Sequence, residues 1–113
     1  MKNWLKDLDN QTRIKMRITG KPMLLAGLND ENQCLGFKVD NYGYEVFVLE
    51  WDSEFYYPPV RKYDKKIFDR FDNVDIDDVD ERFNNMCDEL AEKYKFNGEN
   101  RPLPLFITRF INL

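Results

Sequence analysis

The chain has no histidine and a single serine, Ser53, and these two shortages remove most of the ordinary machinery for moving protons at neutral pH. Histidine is the side chain whose unperturbed pKa lies near neutrality, so Ser-His and Cys-His nucleophile pairs are excluded. Ser53 stands between Asp52 and Glu54, whose charges oppose an alkoxide, and no glycine-rich elbow surrounds it. The glycines are Gly20, Gly27, Gly36, Gly43 and Gly98, each isolated from the others, so no loop of clustered glycines is present to cradle a phosphate. Cysteine is limited to Cys34 and Cys87, too few and too far apart for a disulfide framework or a zinc ribbon. Two buried thiols are the expected state. No apolar run is long enough to span a bilayer, and Met1 to Asp9 carries Asp7 and Asp9 where a signal peptide would be apolar. A soluble cytoplasmic protein is expected.

What the chain has in quantity is charge and aromatic area. Its 113 residues suit one domain, 1–113, and 42% hydrophobic with 15% aromatic content can bury enough surface to offset the entropy of ordering. Charge is unevenly placed. Residues 1–25 hold six bases against two acids, a net of +4, which leaves −8 on the remainder. The densest feature is acidic: Asp75, Asp77, Asp78, Asp80 and Glu81 fall within seven residues, with Asp72 nearby. Such a field steers partners even where no pocket exists.

Hydrophobic periodicity gives the expected elements. Trp4, Leu5 and Leu8 share one face of a short helix over 2–10. Arg13 to Thr19 alternates Ile14, Met16 and Ile18 against Arg13, Lys15 and Arg17, the period of a half-buried strand. Gly20 to Pro22 makes a turn, and strands follow at Met23–Leu28, Leu35–Val39 and Tyr44–Trp51, the last two separated by a turn at Asp40–Gly43. Phe55 to Tyr57 adds a short strand that Pro58 and Pro59 stop, and Arg61–Asp69 reads as a charged connector. A helix over 78–95 is capped by Asp78 with Glu81 three residues on, carries Val79, Phe83, Met86, Leu90 and Tyr94 as its apolar stripe, and ends at Asn97 and Gly98. A last strand over 105–113 stands at a sheet edge, where it could pair two copies into a homodimer. The expected fold is α+β: an antiparallel meander of four to six strands with the main helix on one face and a short helix at the amino terminus.

Several chemistries can be weighed against these positions. A calcium loop started at Asp75 puts Val79 fifth and Asp80 sixth, where an oxygen ligand and glycine are needed, and one started at Asp78 puts Arg82 and Phe83 there. No metal site and no cofactor are expected. Asp64 stands two residues before Lys66, the acid-lysine spacing of restriction-type nucleases, but on the expected connector rather than a strand. Arg13, Lys15 and Arg17, projecting from one face of a strand at about 7 Å, match the phosphate spacing of a nucleic-acid strand. No aromatic interleaves with them, and the carboxylates elsewhere favour internal pairing. The net charge of −4 also disfavours loose adherence to nucleic acid. The expectation is a protein-binding module without enzymatic activity, of the inhibitor or immunity type that mimics nucleic acid. It would occupy a basic surface on another protein with Asp72, Asp75, Asp77, Asp78, Asp80, Glu81, Tyr56 and Tyr57. A nucleic-acid-binding module using Arg13, Lys15 and Arg17 is the alternative.

Overall fold

A computed structural model describes residues 4–26, 28–50, 61–69 and 76–96. The fold is α+β. After a 3-10 turn at Trp4–Asp7 come helix α1 (Asn10–Thr19), strands β1 (Met23–Ala26), β2 (Gln33–Val39), β3 (Gly43–Glu50) and β4 (Arg61–Asp69), and helix α2 (Ile76–Tyr94). The strands form one antiparallel sheet in the order β1-β2-β3-β4, so each pairs with its neighbour in sequence. The expected strands over 55–57 and 105–113 lie outside the described residues.

Residues 13–19 are helix, not strand. Asp9 caps the helix, its Oδ1 accepting the Thr12 N–H at 2.7 Å, and Gly20 closes it in the left-handed region at φ 67° with its N–H donating to Met16 O at 2.8 Å. Between these caps stand Arg, Lys, Gln and Met, straight side chains that lose little freedom in a helix. The alternation of Ile14, Met16 and Ile18 therefore means something different. At 100° per residue, the two isoleucines point about 160° away from Met16. Met16 is fully buried, while Ile14 is 50% and Ile18 79% exposed. The apolar contribution of the amino-terminal segment comes instead from Trp4 and Leu8, both buried, with Leu5 packed beside them.

The stretch Arg61–Asp69 is strand β4 rather than a connector. Only Phe68 of its described side chains is buried, so the alternation that marks a half-buried strand is nearly invisible among its charges. Its register is secured by pairs such as Tyr44 with Phe68 and Val46 with Lys66, with an irregularity near Val48 and Leu49.

The main core lies between the sheet and the helices. Leu35, Phe37, Val39, Val46, Val48 and Phe68 meet Phe83, Cys87, Leu90 and Ala91 of α2, with Trp4, Leu8 and Met16 at its margin. Burying each large apolar side chain contributes roughly 1.5–3 kcal/mol. Aromatic rings order the layer: Phe37 meets Phe83 edge-on at 4.5 Å, Tyr44 stacks on Phe68 at 4.9 Å, and the Arg82 guanidinium lies over Phe68 at 4.9 Å. The opposite face of the sheet carries a second buried cluster, Leu24, Leu28, Cys34, Phe47 and Leu49.

Helix α2 begins at Ile76, so Asp78 lies inside its first turn and is not the cap. It ends earlier than Asn97 and Gly98, which fall outside the described residues. Lys95 takes the left-handed conformation at φ 62°, and the Phe96 N–H donates to Ala91 O at 2.8 Å while the Phe96 ring is buried. This is a helix stop made by a lysine, fixed by the apolar contact that follows it.

Candidate functional site

The acidic face of α2 is the strongest candidate. Asp72, Asp75, Tyr56 and Tyr57 lie outside the described residues, and Asp77 stands in the first turn of α2. Asp78, Asp80 and Glu81 are all exposed, but they do not point the same way. Successive helical positions turn by 100°, which places Asp80 at least 100° from both Asp78 and Glu81. Asp80 turns toward α1, where its Oδ1 lies 3.3 Å from an Arg13 terminal nitrogen. Among the described residues Asp78 and Glu81 have no ion-pair partner.

The same geometry extends the site beyond the cluster. Asp78, Glu81, Glu89 and Glu92 occupy positions i, i+3, i+11 and i+14, which lie within about 80° around the helix and span about 21 Å along it. All four are exposed. Glu89 is the one engaged within the described residues, its Oε2 lying 2.7 Å from Lys66 Nζ. Glu89 and Glu92 were absent from the expected site because density of acids in sequence, rather than their angle around a helix, drew the boundary. The missing signal was the apolar stripe itself: opposite Phe83, Leu90 and Ala91, the wheel already holds these carboxylates.

The polar flank of α2 that meets the amino-terminal segment runs Asp80, Asn84, Asp88. At one end Arg13 pairs with Asp80, and at the other the Trp4 indole N–H donates to Asp88 Oδ1 at 2.8 Å. Part of the positive segment is thereby held against part of the negative one, the internal pairing favoured by the surplus of carboxylates. It also dismantles the basic strand. On a helix Arg13 and Arg17 share one flank and Lys15 the other, roughly 160° to 200° apart, so the three no longer form a row at phosphate spacing.

A second polar cluster ties β4 to α2. Asp64 Oδ2 accepts hydrogen bonds from Lys93 Nζ and Tyr94 Oη, each at 2.9 Å, and Oδ1 accepts the Lys65 N–H at 2.8 Å. The Lys93 hydrogen bond, helped by those of Tyr94 and Lys65, holds the Asp64 carboxyl below the usual carboxylate range. Lys93 is raised by the bond to Asp64, and Tyr94 is raised by burial and then by Asp64. The acid-lysine pair Asp64 and Lys66 does sit on a strand, but Asp64 is spent on Lys93 and Tyr94 and Lys66 on Glu89. Among the described residues no three His, Cys, Asp or Glu side chains converge as a metal site would require.

This cluster has a pH signature. A depressed carboxyl contributes stability above its ordinary pKa near 3.8, and the contribution is lost as pH falls through the folded value. Raised Tyr94 and Lys93 contribute below their ordinary values of 10.0 and 10.5 and lose that contribution as pH rises through the folded ones. The stability gap between wild type and Asp64→Asn, read from urea midpoints, is expected to be widest from about pH 5 to 9 and to narrow on both sides. A gap unchanged from acid to alkali would show that the cluster does not couple these protons to folding.

No described helix is long and apolar enough to cross a membrane. Comparison with models of known protein families, with curated proteins and with solved structures gave no match to this chain.

Proposed function

We propose that this chain is a protein-binding module that places the acidic stripe of α2 on a basic surface of another protein, with no bond made or broken on its own surface. One observation carries this reading: Asp78, Glu81 and Glu92 are exposed on one side of a single rigid helix and have no ion-pair partner among the described residues. A helix sets the spacing of these carboxylates before binding, so no backbone ordering is added, and their shared sign speeds encounter and selects partners more than it sets affinity. Inhibitory and immunity-type modules that displace nucleic acid from a basic surface work by this chemistry. The nucleic-acid-binding alternative is weaker, because Arg13 is engaged with Asp80 and Lys15 is turned from the two arginines.

The test uses Asp78→Lys/Glu81→Lys/Glu92→Lys, which leaves the internally paired Asp80 and Glu89 in place. A protein captured by the wild type from a host lysate, then purified, is titrated with both forms at low and moderate salt. The triple variant is expected to bind at least about tenfold more weakly and to lose the salt dependence, while its thermal midpoint moves by only a few degrees. Equal affinity of the two forms would remove the stripe from the function.

A further inference from the structure

We propose that a shallow depression on the face of the sheet turned away from α2 takes an arginine side chain of a partner peptide or protein. It lies where the β2–β3 turn meets the end of β4, and Lys38, Asp40, Tyr42, Glu45, Ile67 and Asp69 surround it with Gly43 among them. Alternation places it. Glu45 stands opposite Ile67 and Gly43 opposite Asp69, while Tyr44 and Phe68 between them turn to the main core. The site is therefore separate from the acidic stripe of α2.

Its size and shape are set before any ligand arrives. The cavity is about 60 Å³, against roughly 300–1,000 Å³ for pockets that enclose a cofactor or drug-sized molecule. Only a group the size of one side-chain head fits. Asp40 Oδ1 accepts the N–H groups of Tyr42 and Gly43 at 2.7 and 2.9 Å, and the Asp40 N–H donates to Gly43 O at 3.1 Å, which fixes the turn that carries Tyr42. Asp69 Oδ1 would stand 3.2 Å from a Cβ placed on Gly43, so this carboxylate leans over a residue that offers no side chain of its own.

The lining selects a cation. Three carboxylates, Asp40, Glu45 and Asp69, accompany the one ammonium of Lys38, a net of −2. Lys38 stands opposite Glu45 across the β2–β3 pair, so its charge is set against that carboxylate and not against Asp69. Among the described residues Asp69 has no ion-pair partner, and no ring or cation lies against Tyr42. Tyr42 is 69% and Ile67 51% exposed, two of the five large apolar side chains left exposed among the described residues. A carboxylate, an uncovered aromatic ring and an aliphatic branch in one depression match the parts of an arginine. Its guanidinium forks onto Asp69, its plane lies on the Tyr42 ring and its stem on Ile67. Lysine fits less well, because its ammonium is a hydrated point charge that neither forks nor stacks flat.

The probe is acetyl-arginine-amide, titrated into the protein and followed by backbone amide chemical shifts, with the lysine and citrulline counterparts beside it. Citrulline keeps the shape of arginine and loses the charge. The arginine probe is expected to shift the amides of Tyr42, Gly43, Ile67 and Asp69 saturably, and to bind at least about fivefold more tightly than the citrulline probe. Asp69→Asn and Tyr42→Ala are each expected to weaken it at least about threefold with the thermal midpoint unchanged, since both side chains are exposed and Asp40 holds the turn. Asp78→Lys/Glu81→Lys/Glu92→Lys is expected to bind the probe within about twofold of wild type at moderate salt, so this site and the stripe fail separately. Equal affinity for arginine and citrulline, full affinity in Asp69→Asn, or shifts confined to α2 would overturn the proposal.

Discussion

Replacing Asn29 with leucine is expected to lower the thermal midpoint by on the order of 15 °C, the largest loss from any single polar side chain described in this chain. Asn29 is 4% exposed and uses every polar atom of its amide. Its Nδ2 donates to Tyr94 O at 2.7 Å and to Gln33 Oε1 at 2.9 Å, and its Oδ1 accepts the N–H groups of Gln33 at 2.8 Å and Glu31 at 3.0 Å. Tyr94 O is one of the last carbonyls of α2, which no further helical turn satisfies. One side chain therefore shapes the β1–β2 turn, where Asn32 sits at φ 58°, and fastens the carboxy-terminal end of α2 to it. Leucine has the same branching but is larger, and it leaves two buried groups of Gln33 and two part-buried ones, Tyr94 O and the Glu31 N–H, without that partner. At about 1–3 kcal/mol for each group left buried and unsatisfied, with partial rescue by relaxation, a net cost of about 3–5 kcal/mol follows. Asn29→Asp separates the causes: it keeps both acceptor bonds and turns the donor into a second acceptor facing Tyr94 O and Gln33 Oε1. Its midpoint is expected to fall as well, and less at low pH, where the protonated carboxyl donates again. A midpoint within about 3 °C of wild type for the leucine variant would show that the network does not hold the helix end.

Gly43→Ala is expected to cost about 3 kcal/mol in urea unfolding, although it adds one methyl group to a protein whose core has far larger side chains. The reason is a close approach of two backbones. A Cβ at Gly43 would lie 2.4 Å from Phe68 O and 2.8 Å from Asp69 Cα, and neither can swing aside as a side-chain tip would. The strands would have to separate where Tyr44 stacks on Phe68 and where Asp40 binds the N–H groups of Tyr42 and Gly43 at 2.7 and 2.9 Å. Gly20 provides the contrast. No atom lies within 4 Å of a Cβ placed there, so alanine meets only the left-handed strain of φ 67°, about 1 kcal/mol. If the two alanine variants lost equal stability, the close approach at Gly43 would not be the source of its cost.

The parts of the fold legible in the sequence are those whose side chains repeat against one buried surface. Leu35, Phe37 and Val39, and Tyr44, Val46 and Val48, alternate as expected, and the turn between them forms at Asp40–Gly43. The stripe Val79, Phe83, Met86, Leu90, Tyr94 faces the sheet as its spacing implies, with Cys87 and Ala91 completing it. Misreadings arose where burial is slight. Helix α1 buries only Met16, so its apolar residues obeyed no helical period, and the caps Asp9 and Gly20 with Pro22 beyond were the better signal. Strand β4 shows no clear alternation because six of its nine residues are charged and, of its described side chains, only Phe68 is buried. For the candidate site, the acids were visible but their directions were not. Only the helical angle separates Asp80, which serves Arg13, from Asp78 and Glu81, which face outward.

The two thiols occupy different layers, Cys87 between sheet and helices and Cys34 under the opposite face, and both are sealed from solvent. Each is thereby a chemical reporter for its own side of the sheet. Under mild stress an alkylating reagent that labels one before the other identifies which layer breathes first, without any engineered probe.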